Sequence, residues 1–300
     1  MEAGCGMETT QKPFAQVAIL GLGLMGASLG MALRAAGAAR LVTGYDSSPG
    51  VAERARERDA LELACATVPE AVAAADLVVL AAPMRAAPDL FSAIAPCLAP
   101  SALVTDIGSV KERLVMSAER ILPDPSRFVG GHPMTGGERS GVDVARADLY
   151  AGCIWPLTPT ARTSPQAIAR ISWMIGRLGA TPLLLDPSEH DAAVACVSHL
   201  PRIAASALVL TAAQSVSWPV ARELAASGFR DTTRVASGDP EMTLDICLAN
   251  APALLASLDA YSETLRSLRA QIASGAATLA ETFVSAKQTR DDWLGARRGE

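Results

Sequence analysis

Histidine is scarce in this chain, with three in 300 residues, at His132, His190 and His199. A reaction that needs a proton acceptor near neutral pH therefore has few candidates, because imidazole is the side chain that titrates there unperturbed. Aromatic residues are also few, at 4%, which argues against a surface built to stack nucleic-acid bases. Positive charge is not in excess. There are 26 Lys and Arg against 31 Asp and Glu, a net charge of −5. No basic field exists to hold a nucleic-acid backbone or an anionic membrane. The six cysteines form no CxxC pair, which excludes a zinc ribbon or a thioredoxin motif. Their scatter fits reduced, mostly buried thiols in a cytoplasmic protein. No metal site is expected either, since His190 and His199 stand nine positions apart and no Asp/Glu–His spacing resembles a known cage. The longest apolar runs, such as residues 77–83, are too short to span a bilayer. The first residues show no basic region followed by an apolar one, and residues 1–13 read as a mobile tail.

Half of the residues are hydrophobic and 19% are charged, enough to bury a large core in two domains. The first half alternates short apolar runs with helical patterns. Strands are expected at 16–20, 41–45, 77–81, 103–105, 128–130, 154–157 and 182–185. Helices are expected at 24–36, 53–64, 86–95, 110–121 and 165–178. The run at 77–81 is apolar throughout, as in a parallel sheet covered on both faces, and the alternation predicts a doubly wound α/β domain over 14–186. Beyond Asp186 no convincing strand follows. Leu254, Leu258, Tyr261, Leu265, Leu268 and Ile272 recur at three- and four-residue steps, one apolar helix face. The second domain, 187–300, is therefore expected to be all-helical. A stripe this long needs a partner, within the domain or in another subunit.

Gly21-Leu22-Gly23-Leu24-Met25-Gly26 follows the first strand and opens the first helix. In a dinucleotide site of the Rossmann type the first glycine permits the turn. The second lets the pyrophosphate approach the backbone, and the third allows close helix–strand packing. The helix N-terminus supplies free N–H groups to the phosphates. Asp46 ends the second strand twenty residues past Gly26, where a carboxylate accepts hydrogen bonds from ribose hydroxyls. Ser47, Ser48 and Pro49 follow it, with no Arg for a 2′-phosphate, so NAD is expected in preference to NADP. Leu24, Met25 and Pro83, the last just past the third strand, complete the expected cofactor set.

Two further segments follow strand ends, Thr105-Asp106-Ile107-Gly108-Ser109-Val110-Lys111 and Gly131-His132-Pro133-Met134-Thr135-Gly136-Gly137-Glu138. In an open α/β sheet ligands bind at that edge, which puts Ser109 and His132 beside the nicotinamide. The chain resembles the prephenate/arogenate dehydrogenase family of tyrosine biosynthesis on GLGLMGAS, DIGSVK, HPMTGGERSG, HDAAVACVSHLPR and GFRDTTRVASGDPEM, in the family's order. The resemblance spans nearly everything after residue 14. It implies an oxidative decarboxylation of a cyclohexadienol with NAD(P), and a dimer formed through the helical domain; with Asp46 the leading expectation is conversion of prephenate to 4-hydroxyphenylpyruvate with hydride transfer to NAD. It also implies that His132 polarises the ring hydroxyl of a dianionic cyclohexadiene substrate. Ser109 would orient the hydroxyl and the histidine, and Arg234 would bind the ring carboxylate. Glu138 and Lys111 would line or gate the site, although Lys111 can equally be a solvated residue of the first helical turn. His199 would face the substrate or bond within the domain interface. His190 reads as structural at the domain junction, in a helix start capped by Ser188.

The chain departs from the family pattern in three places. Many members carry a histidine or glutamine where this chain has Arg202. Some carry a serine and a tryptophan at the positions of Gly238 and Thr243. Arg202 could pair with the side-chain carboxylate that both prephenate and arogenate possess. The alternatives are an arogenate or dual-specificity cyclohexadienyl dehydrogenase, an enzyme acting on 4-amino-4-deoxyprephenate, a β-hydroxyacid-type dehydrogenase, and a non-catalytic NAD-binding sensor.

Overall fold

A computed structural model describes residues 11–137 and 139–298. Most of the expected N-terminal tail and Glu138 lie outside the described residues. Among the described residues eight strands form one sheet: β1 (Val17–Leu20), β2 (Val42–Tyr45), β3 (Leu63–Ala64), β4 (Leu77–Leu80), β5 (Leu103–Asp106), β6 (Phe128–Gly131), β7 (Ile154–Thr158) and β8 (Thr181–Leu184). Their order is β3-β2-β1-β4-β5-β6-β7-β8, parallel throughout except for the antiparallel pair β6–β7. The helices that cross between strands are α1 (Leu24–Ala35), α2 (Val51–Glu57), α3 (Val68–Val72), α4 (Ala87–Ile94), α5 (Glu112–Ile121) and α6 (Pro165–Arg177).

The central strands are apolar on both faces, and the two-residue period divides them between two cores. Val17, Ile19, Leu77 and Val79 join one core, while Ala18, Leu20, Val78 and Leu80 join the other. Burial on both sides explains why these strands read as continuous apolar runs. One expected helix is cut short. The pattern at 53–64 ends at Glu57, and Leu63–Ala64 becomes the edge strand β3. Asp59 adopts the left-handed conformation, with φ of 60°, which stops the helix.

After β8 the described residues are helical: α7 (Pro187–Val194), a π-helical turn (Ala195–His199), α8 (Leu200–Gln214), α9 (Trp218–Leu224), α10 (Ser227–Thr233), a 3₁₀ turn (Arg234–Ser237), α11 (Pro240–Ala249), α12 (Ala251–Ser274) and α13 (Thr278–Arg298). The chain forms two compact units, one through Ala251 and one from Pro252. In the second unit the Thr282 hydroxyl of α13 donates to the Gln271 side chain of α12 at 3.1 Å, and the stripe residues Tyr261, Leu265 and Ile272 are exposed.

Contrary to the expectation from the apolar runs, one continuous helix is long and apolar enough in composition to cross a bilayer. It is Pro187–Gln214, 28 residues with mean hydropathy 1.6 over its most apolar window. Polar residues punctuate it, so no single run in the sequence marks it. Its N-cap is Asp186 and not Ser188. The Asp186 carboxylate accepts from the Ser188 N–H at 2.8 Å and from the Ser188 hydroxyl at 2.7 Å, and Pro187 occupies the first helical position, where its missing N–H costs nothing.

Its π turn has a cause and a consequence. Pro201 lacks the N–H that would bond to the Val197 carbonyl, which loosens the ladder there. A π turn absorbs one extra residue. Nine regular steps of about 100° put two side chains on opposite faces, whereas eight such steps leave them about 80° apart. His199 is thereby turned towards the face that carries His190 and Asp191. Asp186→Ala should lower the unfolding free energy by about 1 kcal/mol, with Ser188→Ala costing less, both measured by denaturant titration.

Candidate active site

Gly21 follows β1 with φ of +101°, and a Cβ there would lie 2.7 Å from the Ala81 and Ala82 backbone. A Cβ on Gly26 would lie 1.9 Å from the Gly21 carbonyl oxygen, so helix and loop fit together only without side chains. Gly23 differs, since a Cβ there would meet nothing within 4 Å. It caps α1 with no side-chain hydrogen bond and no acidic residue in the first turn. The N-terminal N–H groups of α1 thus open onto space suited to an anion. Asp46 is held by both oxygens, one accepting from the Leu22 N–H at 2.7 Å and the other from the Ser48 N–H at 2.8 Å. The remaining lone pairs are available to a ribose. Leu24 and Met25 are half-buried in the first turn, and the Met25 carbonyl accepts from the Tyr150 hydroxyl at 2.7 Å. Pro83 opens the 3₁₀ turn after β4. These residues fit a dinucleotide.

The loops after β5 and β6 close on the same edge. The Met84 side chain lies against Gly108, and Leu24 approaches Gly137. The His132 and Met134 N–H groups extend the pairing with β7, bonding to the Pro156 and Ile154 carbonyls at 2.9 Å each. Beneath them runs a buried polar network. Lys111 is fully buried and pairs with Asp106, and its ammonium donates to the Gly131 carbonyl at 2.7 Å. The Asp106 carboxylate also accepts from the Gly108 N–H at 2.7 Å and the Gly131 N–H at 3.0 Å. Burial pulls the Lys111 ammonium below its ordinary range, and Asp106 opposes that pull. Lys111 is therefore not a solvated residue of the helix start.

His190 is not confined to a junction role. Its Nε2 lies 2.9 Å from His132 Nδ1, and its Nδ1 lies 2.8 Å from Asp191 Oδ1. Asp191 Oδ1 also accepts from the Lys111 N–H at 2.8 Å, and Oδ2 accepts from the Glu112 N–H at 2.9 Å. A carboxylate from α7 thus caps α5. The Asn250 amide joins the Asp191 carbonyl at 2.8 Å and His199 Nδ1 at 3.2 Å. Burial, then the charges of Lys111, His190 and His199, hold His132 well below the usual histidine range. Burial lowers His199 to about 4 against the pull of Asp191. Both imidazoles are neutral at pH 7.

Ser109 is half-buried between Gly108, which bonds to Asp106, and Lys111, which bonds to Asp191. Arg202 on α8 reaches Thr243 at 3.4 Å, and a Cβ on Gly238 would lie 1.7 Å from its guanidinium. The three departures from the family pattern are thus one contact. Arg234 opens the 3₁₀ turn that packs against α8 and ends just before Gly238. Sequence reasoning missed His190, Asp191 and Asn250 as partners of the site. The available signal was the adjacent polar pair His190-Asp191 at the start of a helix that continues mostly apolar.

The profile described as the nucleotide-binding domain of prephenate dehydrogenase matches residues 29–183. The profile described as its dimerization domain matches residues 186–285. The chain belongs to the prephenate dehydrogenase family. A curated relative, the cyclohexadienyl dehydrogenase of Zymomonas mobilis, is 37% identical over 87% of this chain and 89% of its own length. The solved prephenate dehydrogenase of A. aeolicus, in complex with hydroxyphenyl propionate and NAD+, is 32% identical. It superposes with a TM-score of 0.87, covering 93% of this chain and 98% of that one. The arogenate dehydrogenase of Synechocystis is also 32% identical, with a TM-score of 0.82 over 93% of this chain and 99% of its own.

Family membership makes the fold around this network an enzyme's fold, and the network's integrity can be measured. Lys111→Met would leave the Asp106 carboxylate buried without a cation and the Gly131 carbonyl without its donor. Breaking a buried pair in this way should cost about 3–5 kcal/mol, read as a fall in the thermal and denaturant midpoints.

Proposed function

We propose that this chain is an NAD-dependent prephenate dehydrogenase that converts prephenate to 4-hydroxyphenylpyruvate. The observation that carries the reading is the placement of a neutral His132 on the loop after β6, against the glycine loop through Gly137 and Leu24. Prephenate carries a ring hydroxyl at C4 and a carboxylate at C1. When bound, NAD would supply the hydride acceptor for C4, as the C1 carboxylate leaves as CO₂ and the ring becomes aromatic. His132 accepts the hydroxyl proton as C4 gains carbonyl character and returns it to the phenolic oxygen, a role suited to an imidazole that is neutral at working pH. Ser109 orients the hydroxyl, and Arg234 holds the ring carboxylate. Arg202 and His199 take the substrate side chain. Gly21, Gly23, Leu24, Met25, Gly26, Asp46 and Pro83 hold the cofactor. The carboxylate of Asp46, with no Arg after it, favours NAD over NADP.

The reading also divides the chain into a nucleotide-binding domain, 14–186, and a helical substrate and dimerisation domain, 187–300. Exposed apolar residues on the helical part, among them Leu210, Leu224, Leu248 and Leu265, fit a second copy of the chain. The dimerization profile supports this. A cytoplasmic location suits the free thiols at Cys65, Cys97, Cys153, Cys196 and Cys247. A second reading, an arogenate or dual-specificity cyclohexadienyl dehydrogenase, is favoured by the names of two relatives, whereas Arg202 does not discriminate, since its partner carboxylate is present on either substrate. No observation favours a non-catalytic sensor.

Steady-state assays with prephenate and arogenate, each with NAD and NADP, test the proposal. Prephenate with NAD should give the highest kcat/KM, and no reduced cofactor from either substrate would defeat it. His132→Ala should lose most turnover, on the order of 10²-fold or more, while NAD affinity by calorimetry stays near wild type. Arg234→Ala should raise the substrate KM by roughly ten- to a hundred-fold, the worth of a charged hydrogen bond, with the KM for NAD little changed.

A further inference from the structure

Two side chains outside that set of roles are built into the site. His190 and Asp191 are almost fully buried, and they continue a line of hydrogen bonds from His132 to the end of a helix. Each proton in that line can be placed. Both Asp191 oxygens accept backbone N–H groups, from Lys111 and Glu112. These groups belong to the start of α5, where the helix dipole favours a negative charge. Asp191 is therefore the anion, and the neighbouring His190 Nδ1, 2.8 Å away, must donate to it. A neutral His190 then has a bare Nε2, which can only accept. The group facing it at 2.9 Å is His132 Nδ1, so that nitrogen carries its proton. The free nitrogen of His132 is Nε2, with its lone pair exposed to a substrate.

We infer that His190 and Asp191 are positioning residues that lock His132 in the Nδ1–H tautomer and so present Nε2 as the proton acceptor. This rests on the reaction proposed above and deepens it. The lock is specific to the face on which it sits. The charged and titratable groups around His190 are His132, Asp191, His199 and Lys111. Lys111 is committed to Asp106 and the Gly131 carbonyl, and His199 Nδ1 is committed to Asn250. None of them competes for His190 Nε2. When His132 takes the hydroxyl proton it becomes an imidazolium whose Nδ1–H still points along the line to the Asp191 carboxylate. That stabilises the charge without moving any residue. The second hydrogen bond made by a histidine fixes which of its nitrogens acts, and loss of the correct tautomer is costly in other enzymes that depend on one.

The three histidines make the test direct, because selective ¹⁵N-histidine labelling of the whole protein yields three imidazoles. At pH 7 His132 should show a protonated Nδ1 and a bare Nε2, assigned by comparison with His132→Ala. A protonated Nε2 on His132 would overturn the inference. Two substitutions separate positioning from mere packing. The Gln amide reaches the position of His Nε2 and can offer an oxygen there, while the Asn amide reaches only the position of Nδ1. His190→Gln should keep most of kcat and the wild-type pH profile. His190→Asn should lower kcat by on the order of 10²-fold, with the KM for NAD unchanged. Equal behaviour of the two variants, whether both are active or both impaired, would refute the role. An inactive wild type with the expected tautomer would instead defeat the proposed reaction and leave the positioning intact.

Discussion

The carboxylate of Asp191 lies in a region with almost no solvent, 3% exposed, where an unpaired charge would be very costly. It is tolerated because it accepts three hydrogen bonds from two directions, two from the first turn of α5 and one from His190. The rest of the candidate site follows from that arrangement. The loop between β5 and α5 is clamped at both ends, by Asp106 at one and Asp191 at the other, with Ser109 between them. The loop after β6 is tied to the first clamp through the Gly131 N–H and carbonyl, and to the second through His132 and His190. A sheet loop, a second sheet loop and a helix from beyond the sheet thus share one set of protons. Movement of any of the three would leave a buried polar group unpaired, which rigidifies the network as a whole.

That dependence also explains the unequal legibility of the sequence. The glycine loop and Asp46 could be read directly because their function is local. A turn, a helix start and a strand end twenty residues on are all visible in one window. The doubly wound order was legible for the same reason, each strand and helix carrying its own period. Lys111 was not legible. A lysine in a first helical turn is ordinarily solvated, and only the fold brings the Asp106 carboxylate and the Gly131 carbonyl around its ammonium. His190 failed similarly, since its partner His132 is 58 residues away in sequence. The edge strand β3 is too short for a period, and the left-handed Asp59 that frees it has no strong sequence mark. The π turn did leave a trace in Pro201, although a proline early in a helical pattern also fits an ordinary first turn.

The three family departures illustrate a further limit. Taken singly, Arg202, Gly238 and Thr243 are substitutions at separate positions. In space a guanidinium fills the place of the missing Cβ at Gly238 and reaches the Thr243 hydroxyl. A serine at 238 would have to displace Arg202, so the residues are best understood as one exchange: a bulkier cation on α8 accommodated by a smaller neighbour after the 3₁₀ turn. The exchange adds positive charge beside the turn that carries Arg234.

That local charge matters because the chain as a whole is acidic and the proposed substrate is a dianion. Burial keeps His132 and His199 neutral at pH 7, so they add no positive charge, and Lys111 is already matched by Asp106. The cationic character of the site then rests on the arginines of the helical part, which have no neutral form to lose. Division of labour follows from the physics: groups that must exchange a proton are buried and uncharged, and groups that must attract carboxylates are permanently charged. The arrangement has an acid limit. His199 has a folded pKa near 4 and an ordinary one near 6.5, so below about pH 6.5 the unfolded chain binds its proton first. Its burial therefore costs stability as the pH falls towards 4.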